Sequence, residues 1–404
     1  MSDSRTTDFI ERIPVGPLAL MPLDSIRPLG KRVDEYLSTW RTRRESEHKE
    51  TIAFNGYQKD SYIVEAKVSR FGSGEAKANI LETVRGVDLY LMVDVMNYSQ
   101  TYNLFGQVNH MSPDDHYSDL KRVIAATTGK AKRINVIMPF MYESRQHKRT
   151  GRESLDCAMM LQELHAMGVE NFITFDAHDP RVMNAIPQDS FDNISCSYQF
   201  IKSILSHVED LDIDKNHMMI ISPDEGGMGR AIFYANVLGI DMGMFYKRRD
   251  YSQVVNGRNP IVAHEFLGAD VEGKDVFIID DMISSGESLI DTAKELKERK
   301  ARRVFACCTF GLFTSGFNKF DQAYANGTLN GVFTTNLIYQ QPELLTKPWY
   351  ISVDMAKYIA LIIDNLNHDM SISSILDSSQ KINDKVAAYK AHRETMNQQM
   401  ELPL

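Results

Sequence analysis

Two kinds of apolar pattern alternate along the chain. Short unbroken runs such as Val276-Phe277-Ile278-Ile279 and Met218-Met219-Ile220-Ile221 have no polar face. Strands of that kind are buried on both sides, as in a parallel sheet. Between the runs, apolar residues return every three or four positions, the spacing of one helix face. Leu289, Ile290, Ala293 and Leu296 form such a face directly after one run. From residue 63 onward the pattern predicts strands at 88–95, 134–139, 172–175, 218–221, 242–246, 276–279, 304–309 and 331–334. It predicts helices at 117–127, 154–167, 198–207 and 229–237.

Strands alternating with helices predict a doubly wound α/β protein with mainly parallel sheets. So many repeats of the unit predict two sheets and two such domains, with helical extensions at both ends. The expected divisions are an N-terminal extension at 1–55, a first domain at 56–193, a second at 194–365, and a return segment with a helical tail at 366–404. Within the first extension, Val33, Tyr36, Leu37 and Trp40 share one helix face. Arg41, Arg43, Arg44 and Lys49 are expected to form its solvated basic end.

Ligands of such sheets bind beyond the carboxyl ends of the strands, so the strand exits carry the candidate chemistry. One exit, Met138 to Arg149, leads into a basic loop. Its Arg145 can grip phosphate and its Gln146 can read a base edge, or the loop is simply solvated. A second exit reads Phe175-Asp176-Ala177-His178-Asp179, where His178 is a metal-ligand candidate or a structural histidine. A third, Ser222-Pro223-Asp224-Glu225-Gly226-Gly227, puts an acid and glycines before a helix, suited to a cation and a phosphate or to a plain turn. A fourth, Tyr246-Lys247-Arg248-Arg249, opens a long polar segment to Gly273, expected to be a mobile loop over substrate or a solvated connection.

The fifth exit is Asp280-Asp281-Met282-Ile283-Ser284-Ser285-Gly286-Glu287-Ser288. Small hydroxyl residues and a glycine at a helix start offer backbone N–H groups to an anion, with the helix dipole behind them. The two carboxylates before them are placed to hold sugar hydroxyls or a cation, which together suggests a sugar phosphate. The plainer alternative is a strand end followed by a helix cap.

Composition narrows the choice. Over 404 residues the net charge is −9, which argues against general nucleic-acid binding. Against it, the basic clusters at 145–152 and 247–249 stand out as sites for a phosphorylated small molecule. The four cysteines, Cys157, Cys196, Cys307 and Cys308, lack metal or disulfide spacing, so reduced thiols in the cytoplasm are expected. Asp3, Asp8 and Glu11 without an apolar run show no signal peptide, and no run reaches the length of a membrane span.

Taken in order, the loops closely resemble those of ribose-phosphate diphosphokinase, the family that makes phosphoribosyl diphosphate (PRPP). Arg70-Phe71-Gly72-Ser73-Gly74-Glu75 and Val84-Arg85-Gly86 are similar to two further motifs of that family, and the likeness runs over about residues 63–380. The resemblance implies transfer of the diphosphoryl group of ATP, with Mg²⁺, to ribose 5-phosphate. By it, Arg145 and Gln146 bind ATP, and Phe71 and Glu75 reach the adenine of a neighbouring subunit's site in a homo-oligomer. His178 and Asp224 match metal positions. Asp280 and Asp281 match ribose-hydroxyl ligands, and Ser284, Ser285, Gly286 and Ser288 line the ribose 5-phosphate loop. Lys247 and Arg249 match the catalytic cations. The sequence departs at Ser284, where the family has an acid, and at Glu287, whose charge is expected to weaken sugar-phosphate binding without abolishing it. A non-catalytic regulatory subunit of the same family is the alternative reading. An enzyme that consumes PRPP is disfavoured by the doubled architecture.

Overall fold

In the computed structural model, which describes residues 13–43, 56–127, 129–188, 190–249 and 261–400, the unbroken apolar runs lie side by side in two sheets. Side chains at 247–249, 261–264 and 396–400 are outside that description. The chain forms two units. One comprises the residues through Ser195 together with Asn336–Tyr339 and Asp354–Leu376, and the other comprises the rest.

The first unit contains β1 (Leu18–Pro22), α1 (Arg27–Arg43), β2 (Ala66–Arg70), β3 (Ala76–Ile80), β4 (Asp88–Met92), β5 (Thr101–Leu104) and β6 (Gln107–His110). It continues with α2 (Pro113–Thr127), β7 (Arg133–Ile137), α3 (Asp156–Ala166), β8 (Asn171–Phe175) and β9 (Ser190–Ile194). Its sheet is wholly parallel, in the order β1-β4-β7-β8-β9. The pairs β2–β3 and β5–β6 are separate antiparallel hairpins.

The second unit contains α4 (Ser197–His207), β10 (Met218–Ser222), α5 (Met228–Leu238), β11 (Asp241–Arg249), β12 (Ile261–Leu267), β13 (Asp275–Ile283) and α6 (Glu287–Glu298). After these come β14 (Arg303–Gly311), α7 (Asn318–Ala325), β15 (Gly331–Thr335) and β16 (Tyr350–Val353). The strand order is β12-β11-β10-β13-β14-β15-β16, parallel except for β11–β12. α8 (Ala356–Asn367) and α9 (Ser373–Leu376) return to the first unit, and α10 (Ser379–Met400) packs on α4 and α5.

Four expectations are corrected. The start of the chain is no appendage: all five residues of β1 are buried, β1 pairs with β4, and α1 packs against α8. Arg41 is not solvated. Its side chain is 1% exposed, bonds Asp364 at 3.0 Å and Asn367 at 2.7 Å, and lies over the rings of Tyr57 and Tyr62. A guanidinium can be buried there because a carboxylate, an amide and two aromatic faces replace its water; Arg44 and Lys49 lie outside the described residues. The second domain does not run unbroken from 194 to 365, because α8 completes the first unit. The polar segment after Lys247 is not all loop, since β12 folds back antiparallel on β11 with Lys247 opposite His264; residues 250–260 lie outside the described residues.

β13 is the spine of the second unit. Val276, Phe277, Ile278 and Ile279 are 0–1% exposed, and the strand pairs with β10 on one side and β14 on the other. At its start Asp275 is fully buried and bonded by Arg302 and Arg303. Against the upward pull of burial, those hydrogen bonds hold its carboxyl below the usual carboxylate range.

Candidate active site

Strand order locates the crevice in the second unit. Counting from the β12 edge, the order descends to β10 and then rises from β13, so the switch point falls between β10 and β13. In open α/β sheets ligands bind at such a point, beyond the carboxyl ends of the strands. The loops there are the Asp224 and Asp280 loops.

After β10, Asp224 Oδ1 accepts hydrogen bonds from the N–H groups of Gly226 (2.9 Å) and Gly227 (3.2 Å), and Ser222 Oγ donates to the Asp224 carbonyl at 2.7 Å. The carboxylate is thus fixed by its own turn. Gly227 admits no side chain, because a Cβ would lie 2.9 Å from Ser222 Oγ and 3.4 Å from the Ile279 carbonyl.

β13 does not stop before the acids, as the apolar run suggested. Pairing with β14 continues through Met282 and Ile283, so Asp280 and Asp281 belong to the strand. Burial pushes the Asp280 carboxyl well above its ordinary range, helped by the adjacent Asp281 charge; Arg230, 3.9 Å away on α5, pulls the other way. A half-buried acid beside a buried one is a poor resting state and a ready receptor for hydroxyl donors or cationic charge.

Gly286 makes the turn. Its φ is +82°, and a Cβ there would sit 2.3 Å from the ring of Phe320, itself fully buried. α6 starts at the next residue, so the N–H groups of its first turn lack helical partners and can serve an anion. The Glu287 side chain is 61% exposed and ion-paired with Lys319 on α7. Lys319 lies thirty-two positions along the chain, and no local sequence signal marks it. Lys247 and Arg249 end β11, the strand beside β10; their side chains lie outside the described residues.

In the first unit, neighbouring strands β7 and β8 bring their exit loops together. The ring centroids of His147 and His178 are 5.3 Å apart, and His147 Nε2 lies 3.4 Å from Asp179. Hydrogen bonds from Arg181 lower the Asp179 carboxyl to about 2, while burial lowers the His147 imidazole. Arg145 is exposed and Gln146 half-buried just before them. Tyr142, stacked on Tyr117 at 4.6 Å, anchors the base of that loop. Neither His147 nor Tyr142 was singled out by type, because each gains meaning only from a partner on another element. Phe71 and Glu75 sit elsewhere in this unit, on the β2–β3 turn, both exposed. Among the described residues, no group of three or more His, Cys, Asp or Glu side chains forms a metal cage.

Residues 18–168 match the model of the N-terminal domain of ribose phosphate pyrophosphokinase, and residues 187–338 match the phosphoribosyl transferase domain. The chain belongs to the ribose-phosphate pyrophosphokinase family. The first match begins at β1, which is further ground for removing that strand from the supposed extension. The chain is 29% identical over 317 residues to the ribose-phosphate pyrophosphokinase of Vibrio parahaemolyticus, covering 78% of this chain and 91% of that one. It is 28% identical over 314 residues to that of Staphylococcus epidermidis, covering 77% and 88%. The crystal structure of phosphoribosylpyrophosphate synthetase from Mycobacterium smegmatis shares the fold, with a TM-score of 0.68 at 21% identity over 87% of this chain and 99% of that one. No helix among the described residues is long and apolar enough to cross a membrane.

Proposed function

We propose that this protein is a ribose-phosphate diphosphokinase, transferring the diphosphoryl group of ATP to the C1 hydroxyl of ribose 5-phosphate to give PRPP and AMP for nucleotide biosynthesis. The observation that carries it is the tandem match to a domain of ribose phosphate pyrophosphokinase and, after it, to a phosphoribosyl transferase domain. In the reaction the C1 oxygen bonds to the β-phosphorus while the bond from that phosphorus to the α–β bridging oxygen breaks. The hydroxyl proton is released and AMP leaves with the bridging oxygen.

Such a transfer asks mainly for positioning and charge neutralisation. Arg145 and Gln146 would bind ATP. Asp280 and Asp281 would accept hydrogen bonds from ribose hydroxyls, Ser284 would lie along the ribose ring, and Ser285, Gly286 and Ser288 would cradle the 5-phosphate. Lys247 and Arg249 would meet negative charge developing on the transferred group. Phe71 and Glu75 would reach the adenine of a neighbouring subunit, which implies a homo-oligomer. Both substrates are metabolites of the cytoplasm, which supports that location.

Asp224 suits Mg²⁺: its carboxylate is a hard oxygen donor already oriented by two N–H bonds. His178 would be its counterpart in the first unit. Mg²⁺ usually keeps several waters and takes substrate phosphates as ligands, so a site without a protein cage fits its habits. When bound, the ion would neutralise phosphate charge.

The test is incubation of the purified protein with Mg-ATP and ribose 5-phosphate. AMP and PRPP are expected in equal amounts. Lys247→Ala and Arg249→Ala are each expected to lower kcat about a hundredfold or more, with less effect on ATP binding. ADP as product, or no turnover, would overturn the reading; no turnover would favour the non-catalytic subunit.

A further inference from the structure

The β2–β3 turn that carries Phe71 and Glu75 closes on itself through Phe71 N–H to the Glu75 carbonyl (2.8 Å) and Gly74 N–H to the Phe71 carbonyl (2.9 Å). β2 and β3 pair only with each other, and Phe71 is 59% exposed. Behind the turn lies a cleft of about 350 Å³, lined among others by Arg70, Phe71, Gly72, Tyr102 and His116. The strands of this hairpin pack on α2, but the turn itself borders open space.

A second hairpin orients the turn. The Phe105 N–H, at the tip of β5–β6, donates to the Gly72 carbonyl at 2.8 Å. Leu104 covers Gly74 so closely that a Cβ there would lie 2.7 Å from its Cδ1. The Arg70 guanidinium lies 4.5 Å from the Tyr102 ring centroid and bonds Asp119 on α2 at 2.8 Å, and Tyr102 Oη donates to Asp115 at 3.3 Å. One face of the planar cation is thus on an aromatic ring while its edge is on a carboxylate. That arrangement fixes direction as well as distance. Arg70 directly precedes Phe71, so the clamp acts next to the residue that would read the base.

We propose that the β5–β6 hairpin is a positioning device for base recognition, in which Tyr102 and Arg70 set the Phe71–Glu75 turn and with it the preference for adenine over other bases. It rests on the reading of Phe71 and Glu75 as adenine contacts. Tyr102 and Arg70 touch no reacting atom; they act through the turn.

The experiment compares Phe71→Ala, Tyr102→Ala and Tyr102→Phe in the full-length protein, reading kcat, KM for ATP, KM for ribose 5-phosphate and the ratio of kcat/KM for ATP over GTP. Tyr102→Ala is expected to raise KM for ATP and lower the ATP:GTP ratio, each about tenfold, with kcat and KM for ribose 5-phosphate within about twofold. Tyr102→Phe keeps the ring under Arg70 and is expected to behave like wild type. If Tyr102→Ala does not fold, Arg70→Lys serves, with the same split expected from loss of the planar stack. The inference is overturned if Phe71→Ala raises KM for ATP while Tyr102→Ala leaves it unchanged, or if Tyr102→Ala alters kcat and both KM values together. If Phe71→Ala leaves KM for ATP unchanged, the adenine reading itself falls, and the positioning role with it.

Discussion

Glu287 places a carboxylate beside the turn proposed to receive a phosphate, and Lys319 is what makes that tolerable. Paired at the surface, the two contribute little to stability. Their effect on a bound dianion is another matter, because removing only Lys319 leaves a negative charge next to a doubly negative ligand. Lys319→Ala is expected to raise KM for ribose 5-phosphate about threefold to tenfold, more at low ionic strength than at high. Glu287→Gln alone is expected to change it less than about twofold, and the double variant to return it close to wild type. A double-mutant cycle on KM checks this; equal effects of Lys319→Ala with and without Glu287 would show that the pair does not act as a unit.

At the scale of elements, the unit that matters is strand, turn and helix: β13, Gly286 and α6. Gly286→Ala would impose a left-handed φ on a side-chain-bearing residue and drive its Cβ into Phe320, which has no room to yield. A loss of roughly 2–4 kcal/mol is expected from the two effects together. It should appear as a lowered Tm with a raised KM for ribose 5-phosphate, whereas a thermally silent variant would mean that the ring moves. The glycine, the helix after it and the apolar strand before it were all legible in sequence, because each signal is local. β1 was not: Leu18-Ala19-Leu20-Met21 is a short run between Pro17 and Pro22, and what makes it a strand is its pairing with residues seventy positions away. β2, β3, β5 and β6 were missed because exposed hairpins bury too little to leave an apolar mark. Arg41 reads as one more surface cation until Asp364 and Asn367, more than three hundred positions on, are brought to it. The same holds for His147 and His178, whose meeting depends on β7 and β8 being neighbours.

At the scale of the whole molecule, an acid of the first unit helps to hold the chain's return segment 336–339. Asp94, fully buried at the exit of β4, accepts hydrogen bonds from Tyr339 N–H at 2.7 Å and Met96 N–H at 2.8 Å, yet burial pushes its carboxyl up to about 7. The folded state therefore holds this proton more tightly than the unfolded chain. Between about pH 4 and pH 7 the native protein binds the extra proton, so this group's contribution to stability falls as pH rises, by up to roughly 4 kcal/mol. Asp94→Asn forfeits one hydrogen bond at every pH but removes that slope. The difference in Tm, variant minus wild type, is expected to grow from pH 4 to pH 7 and then level off; a constant difference would show that Asp94 stays ionised throughout. The route of the chain has a further consequence, for synthesis. α8 emerges from the ribosome only after every strand of the second unit, yet it belongs to the first and brings the partners of Arg41. Until then α1 has its buried guanidinium without a counter-charge and its inner face without a cover. A gene cut after Ser195 would encode all five strands of the first sheet and still lack the means to close it.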